Sequence, residues 1–133
     1  MRCRGIRGAT TASANTAEAI LSATRELLSR LIEQNDVRED DIASVFFTVT
    51  DDLDAQHPAL AARQLGWHDA ALLCAREIPV PGSLGRCIRV LMHVNTERSA
   101  WQIRHVYLRE AVELRPNRAD ALAPRPSEEE TEL

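Results

Sequence analysis

The chain has 133 residues, and all 16 of its basic side chains are arginine, set against 20 carboxylates for a formal net charge of −4. With no lysine there is no Schiff-base nucleophile, no internal aldimine to pyridoxal phosphate and no P-loop lysine. Any cation at work here is a permanently charged, planar guanidinium.

The length suits one domain, since domains cluster near about 100–150 residues. Nineteen alanines beside the arginines point to a GC-rich coding sequence as the plain reason for the missing lysines. Net acidity argues against a nucleic-acid surface, which needs a basic stripe. No apolar run approaches the roughly 20 residues of a membrane span, and the opening MRCRGIRGATT has no apolar core of a signal peptide. Cys3, Cys74 and Cys87 are odd in number and far apart, which predicts reduced thiols and a cytoplasmic location. No Cys or His pair has the spacing of a dedicated zinc site.

In chain order, the first ten residues read as an extended segment entering a turn, with Gly5 and Gly8 opposing a helix. A helix follows from Asn15, with Glu18 placed to complete a capping box. Its apolar stripe is Ile20, Leu21, Leu27, Leu28, Leu31 and Ile32, and Asn35 stops it. Arg38 to Asp41 reads as a short helical turn, and Ile42 to Thr50 as a buried, β-branched strand. Pro58 opens a second helix that Gly66 ends. Ala70 to Ala75 predicts a short buried strand, Ile78 to Gly85 a Pro/Gly loop, and Cys87 to Val94 a further strand. Ile103 to Leu114 predicts a strand running through a bend. Residues 1–116 form the domain, and 117–133 read as a polar, mobile tail. Strands alternating with helices, then two strands in succession, predict an α+β fold with a mixed sheet packed on helices.

Charged groups inside apolar elements carry the functional signal. Period-two alternation puts Ile88, Val90, Met92 and Val94 on one face of their strand, and Arg89, Leu91 and His93 on the other. Arg89 must therefore be paired, with Glu77 or with a loop carbonyl, or face a cavity that holds an anion. Arg7 lies between two glycines, which serve either close approach to a ligand or a simple turn. Tyr107, the sole tyrosine, can reach a ligand or a backbone carbonyl. Glu77 ends the apolar run ALLCA, either as a site residue or as a solvated strand end. Cys74 reads as core. His57, before Pro58, reads as a helix N-cap neighbour, His93 and His105 show no triad spacing, and neither a GxSxG nor a GxGxxG is present. Arginines, one tyrosine and one glutamate suit a small polyanion held by charge, without covalent catalysis.

Three segments, RGIRGATT, then CAREIPVPGSLGRCIRVLMHVNT, then IRHVYLREAVELRP, closely resemble the monofunctional AroH-class chorismate mutases, in order and at nearly family spacing. The resemblance covers Arg4 to about Pro116. It implies a homotrimer with a barrel-like centre, active sites in clefts between subunits, and rearrangement of chorismate to prephenate without a cofactor or metal. By the same resemblance, Arg89 is the catalytic cation at the ether oxygen. Arg7 and Tyr107 clamp a substrate carboxylate, and Glu77 with Cys74 binds the ring hydroxyl. Leu73, Cys74, Ala75, Arg76 and Glu77 line the pocket. His57 and Arg63 approach the neighbouring subunit's site, and Arg115 closes near the tail. The chain departs from the family pattern at His57, commonly phenylalanine, at Leu60, lysine in some members, and at Leu73, elsewhere smaller and polar. Two other classes also hold a small carboxylate with arginine: a trimeric imine deaminase, marked by ammonia release, and a binding module, marked by binding without turnover.

Overall fold

The computed structural model describes residues 1–115. Its elements are β1 (Arg2–Thr11), α1 (Ala17–Asn35), β2 (Ile42–Val49), α2 (Ala59–Gln64), β3 (Ala71–Arg76), β4 (Cys87–Thr96) and β5 (Val106–Tyr107). Single 3₁₀ segments occupy Glu39–Asp41, Ala100–Gln102 and Arg109–Leu114. The strands form one sheet in the order β3-β2-β4-β1-β5. β4 runs antiparallel to β1 and β2, while β3 lies parallel to β2 and β5 parallel to β1. This is the expected α+β mixed sheet.

One face of the sheet holds the core. Ile6 from β1, Val45 and Phe47 from β2, and Val90, Met92 and Val94 from β4 meet Leu27, Leu28 and Leu31 of α1 and Ala61 and Ala62 of α2. These are the apolar positions of the period-two and 3.6-residue patterns. A β-bulge between Ile42 and Ser44 shifts the register, so that Ile42 and Val45 are both buried. Gly8 lies where α1 crosses closest: a Cβ there would sit 3.0 Å from Leu31 Cδ1 and 3.1 Å from Leu27 Cδ1. The glycine therefore permits close helix–sheet packing, and β1 in turn presents Arg7 on the opposite face.

Among the described residues, no α-helix covers that opposite face. Phe46, Leu91 and Leu73 are 40%, 38% and 56% exposed on it, in adjacent register across β2, β4 and β3. The strands at Ile42–Thr50 and Ala70–Ala75, expected to be buried, are thus half-exposed, and β3 is an edge strand. Period-two alternation puts one side of each strand in the core against α1 and α2 and turns the other side away from them.

Two further expectations change. Thr16, not Asn15, caps α1: its Oγ1 accepts the N–H of Ala19 at 3.1 Å. Asn15 instead holds the loop before α2, accepting from the N–H groups of Asp54 and Ala55 at 3.0 and 3.1 Å and donating to Asp54 Oδ1 at 2.8 Å. In the stretch 103–114 only Val106 and Tyr107 pair as strand, and Arg109–Leu114 is 3₁₀. Arg109 adopts φ +52°, which breaks the extended run. The expected domain end at 116 and the tail 117–133 lie outside the described residues.

Candidate active site

On the open face, the sheet register brings five polar side chains of four chemical kinds together. Thr48 of β2 lies opposite Arg89 of β4, Arg89 opposite Ala9 of β1, and Ala9 opposite Tyr107 of β5. Arg7 precedes Ala9 by one period on the same face. Glu77 follows the end of β3, with its N–H bonded to Val49 O at 2.9 Å. These groups line a cleft of about 340 Å³ formed by Arg7, Gly8, Ala9, Phe46, Thr48, Glu77, Arg89, Val90, Leu91, Tyr107 and Leu114. The shape is that of a small-ligand pocket, with an apolar floor and a few convergent polar groups.

Both alternatives for Arg89 hold at once. Its Nε lies 3.7 Å from Glu77 Oε1, and the guanidinium faces the cleft. Glu77 in turn accepts the Thr48 hydroxyl at Oε2. The carboxylate is thus held from two sides and orients the Nε edge of the guanidinium. A guanidinium has five N–H donors, so one such contact leaves donors for a ligand. The two arginines and one glutamate give the cleft a formal charge of +1, a setting for an anion.

The start of β4 is anchored beside this cleft. Asp52 accepts the backbone N–H of Arg86 at both carboxylate oxygens, 3.0 and 2.9 Å, and the Thr50 hydroxyl at 2.6 Å. Thr50 Oγ1 also accepts the Cys87 N–H at 3.0 Å. The Thr50 hydrogen bond, with help from Arg86, holds the Asp52 carboxyl below the usual carboxylate range. Arg86 has φ +48°, and its chain reaches Ser13 O at 2.7 Å, which ties the loop to the end of β1. Cys87 is buried, and burial pushes its thiol up, against the nearby Arg89 cation. It is a core thiol, not a nucleophile.

The remaining expected site residues lie elsewhere in the single chain. Cys74, Ala75, Arg76 and His57 line a second groove of about 520 Å³ with Leu53 and Pro58. Arg76 Nε there lies 3.6 Å from Asp51, and Cys74 also packs on the core. Leu73 sits on the open face beside Phe46. Arg63 is exposed on α2 and Arg115 follows Leu114 at the end of the described residues. Cys74 and Glu77 are therefore not brought into one cleft. Thr48 was missed by sequence reasoning, although its place two residues after Phe46 and four before Asp52 gave its face once the strand was known.

The chain matches the family described as Chorismate mutase type I over residues 3–118. The chain belongs to that family. It is 56% identical to Chorismate mutase AroH of Thermus thermophilus over 115 residues, 86% of this chain and 94% of the relative. It is 46% identical to Chorismate mutase AroH of Bacillus subtilis over 118 residues, 88% of this chain and 93% of that protein. A solved chorismate mutase from Clostridium thermocellum superposes with a TM-score of 0.81 at 56% identity, covering 82% of this chain and 97% of the other. The fold, the family and the isomerase activity of a chorismate mutase thus agree with the resemblance carried by the three segments. Among the described residues, no helix is long and apolar enough to cross a membrane, and no three metal-ligating side chains cluster.

Proposed function

We propose that chorismate is rearranged to prephenate in the cleft between Arg7, Glu77, Arg89 and Tyr107. The observation that carries this reading is the meeting of Arg7 and Arg89 with Glu77 in one cationic cleft, in a member of this family. A [3,3] shift forms one carbon–carbon bond as the ether carbon–oxygen bond breaks, in a single cyclic electron movement. It needs no nucleophile, no proton transfer and no cofactor. The help an enzyme can give is geometric and electrostatic. It selects the compact diaxial conformer, and it places a fixed cation where negative charge grows on the ether oxygen.

Arg89 takes the second role. Its guanidinium is oriented at Nε by Glu77, so little reorganisation accompanies the change in charge. Arg7 clamps a substrate carboxylate with its planar fork, and the Tyr107 hydroxyl joins it. Glu77 accepts from the ring hydroxyl, assisted by Cys74 when the assembly brings that strand into reach. A millionfold acceleration corresponds to about 8 kcal/mol, and one preorganised donor supplies roughly 3–4 kcal/mol. Two or more of these groups must therefore act together.

Charge and surface both favour an assembled site. The substrate is a dianion, while the cleft of one chain carries only +1. A further cation is required, and Arg63 of a neighbouring subunit or Arg115 of this one would supply it. The exposed apolar face of Phe46, Leu73 and Leu91 is the surface on which copies would pack. A homotrimer buries that face and sets His57, Arg63 and the Leu73–Arg76 strand of one subunit against the cleft of the next. Chorismate, prephenate and further copies of this chain are thus the partners, and the three free thiols fit a cytoplasmic enzyme. The purified protein should consume chorismate, followed by its ultraviolet absorbance, without added metal or cofactor, and should sediment as a trimer. A rate no higher than the uncatalysed background would refute the function, and a monomer with full activity would refute the shared site.

A further inference from the structure

The strand that presents Arg7 is held by a side chain with no place in the mechanism above. β5 pairs with β1 only at Gly8–Val106 and Ala9–Tyr107, and the Leu108 N–H closes on Ala9 O at 2.9 Å. The next donor on that edge of β1, the backbone N–H of Arg7, lies past the end of the ladder. The imidazole of His105 meets it there: Arg7 N–H donates to His105 Nδ1 at 2.9 Å. An acceptor Nδ1 requires the neutral ring with its proton on Nε2.

His105 is itself held. Asn35, buried at the end of α1, accepts the Arg104 N–H at 2.8 Å and donates to Arg104 O at 2.9 Å. It also donates to Leu31 O at 3.0 Å. The helix end therefore fixes the residue before the histidine. Among the described residues, the charged groups that line one groove with the ring are Arg98 and Arg104 from the β4–β5 connection, and the Arg7 cation on β1 also acts on it. α1 contributes only the uncharged Gln34 and Asn35 there. Among the described residues, no carboxylate lines that groove. Burial first, and then the Arg7 cation, push the His105 pKa below its ordinary value of 6.5. The neutral acceptor form is thus the resting form at pH 7.

We propose that His105 is a positioning residue whose neutral Nδ1 sets the Arg7 strand for carboxylate binding, and that protonation of this nitrogen loosens the clamp. A protonated Nδ1 would point an N–H at the Arg7 N–H, so the bond must break and β1 must shift at residue 7. The inference rests on the reading of Arg7 as the carboxylate clamp. Its signature is in KM, because the clamp holds substrate and transition state alike, while kcat follows Arg89.

The test is steady-state chorismate kinetics from pH 5 to 8 on wild type, His105→Ala, His105→Asn and Arg7→Ala. Substrate carboxylates stay ionised across this range. Wild-type KM should rise as pH falls below the ordinary imidazole value of 6.5, with kcat nearly constant. His105→Ala should show KM raised about three- to tenfold at pH 7.5, the worth of one hydrogen bond, and flat with pH. His105→Asn places Oδ1 where Nδ1 was and cannot protonate, so it should keep wild-type KM and lose the acid rise. Arg7→Ala should raise KM further than His105→Ala. If Arg7→Ala raises KM while His105→Asn behaves as wild type at every pH, acid rise included, the inference about His105 fails and the clamp stands. A His105→Asn variant with KM as high as that of His105→Ala refutes the acceptor role. If Arg7→Ala leaves KM unchanged, the clamp reading fails and takes this inference with it. Should His105→Ala not fold, the wild-type and His105→Asn profiles decide alone.

Discussion

Replacing Arg89 with alanine separates catalysis from folding in this molecule. The side chain is 49% exposed, and its Glu77 partner, 25% exposed, lies at 3.7 Å. A pair this open and this long contributes at most about 1 kcal/mol to stability. Neither side chain is part of the buried core, so Arg89→Ala should fold with a thermal midpoint close to wild type. The catalytic loss should be much larger. Removing one preorganised donor at a developing oxyanion costs roughly 2.7–4 kcal/mol, or about 10²–10³ in kcat. The change also takes the formal charge of the cleft from +1 to zero while the Glu77 carboxylate remains, which adds to the loss for a dianionic substrate. Arg89→Lys keeps the charge but loses the planar fork, and it should fall between alanine and wild type. Chorismate absorbance decay under saturating substrate, with circular dichroism on the same samples, measures both quantities. A folded Arg89→Ala protein with kcat within about fivefold of wild type would refute the role given to this arginine.

Three further outcomes follow from the geometry. Tyr107→Phe should raise KM about ten- to a hundredfold, the value of one hydrogen bond to a charged group, with kcat less affected, as read from the same absorbance assay. Gly8→Ala forces a Cβ to within 3.0 and 3.1 Å of Leu31 and Leu27, and overpacking of this kind costs about 1–3 kcal/mol. Its urea midpoint should drop accordingly. The pKa of Asp52 is lowered in the fold from 3.8, chiefly by the Thr50 hydrogen bond. Its contribution to stability is therefore present above that value and is lost as pH falls through the folded value. Asp52→Asn should be less stable than wild type at pH 7 and should lose less stability on acidification below pH 4, measured by urea unfolding at each pH.

The sequence carried most of the fold because its periodicities were clean. The stripe on α1 and the alternation in Cys87–Val94 each specified a core-facing side, and Arg89 fell on the other. The anticipated Arg89–Glu77 pair is present. Less legible were features set by position in three dimensions. Asn15 and Thr16 are both capping residues by type, and only the loop at Asp54 decides which of them caps. β-branched and aromatic residues predict a strand but not whether its second face is covered, so β2 and β3 read as buried. The positive φ of Arg109 ended a strand that composition extended. The candidate site was half-legible for the same kind of reason. Arg7, Glu77, Arg89 and Tyr107 share one sheet face and meet in one chain. Cys74, Ala75, Arg76 and His57 line a different groove of the same chain, formed by β3 and the loop before α2. His105 was passed over because no triad spacing surrounds it. Its partner is a backbone N–H 98 positions away, which side-chain motifs do not reveal.

The structure of the complex with a diaxial, ether-bridged analogue of the transition state tests the account most directly. The account predicts the analogue in the cleft of Arg7, Glu77, Arg89 and Tyr107. The Arg89 guanidinium would lie on its ether oxygen, and the Arg7 guanidinium and Tyr107 hydroxyl on one carboxylate. An analogue seated in the groove of His57 and Arg76 instead, with Arg89 still facing only Glu77, would contradict it.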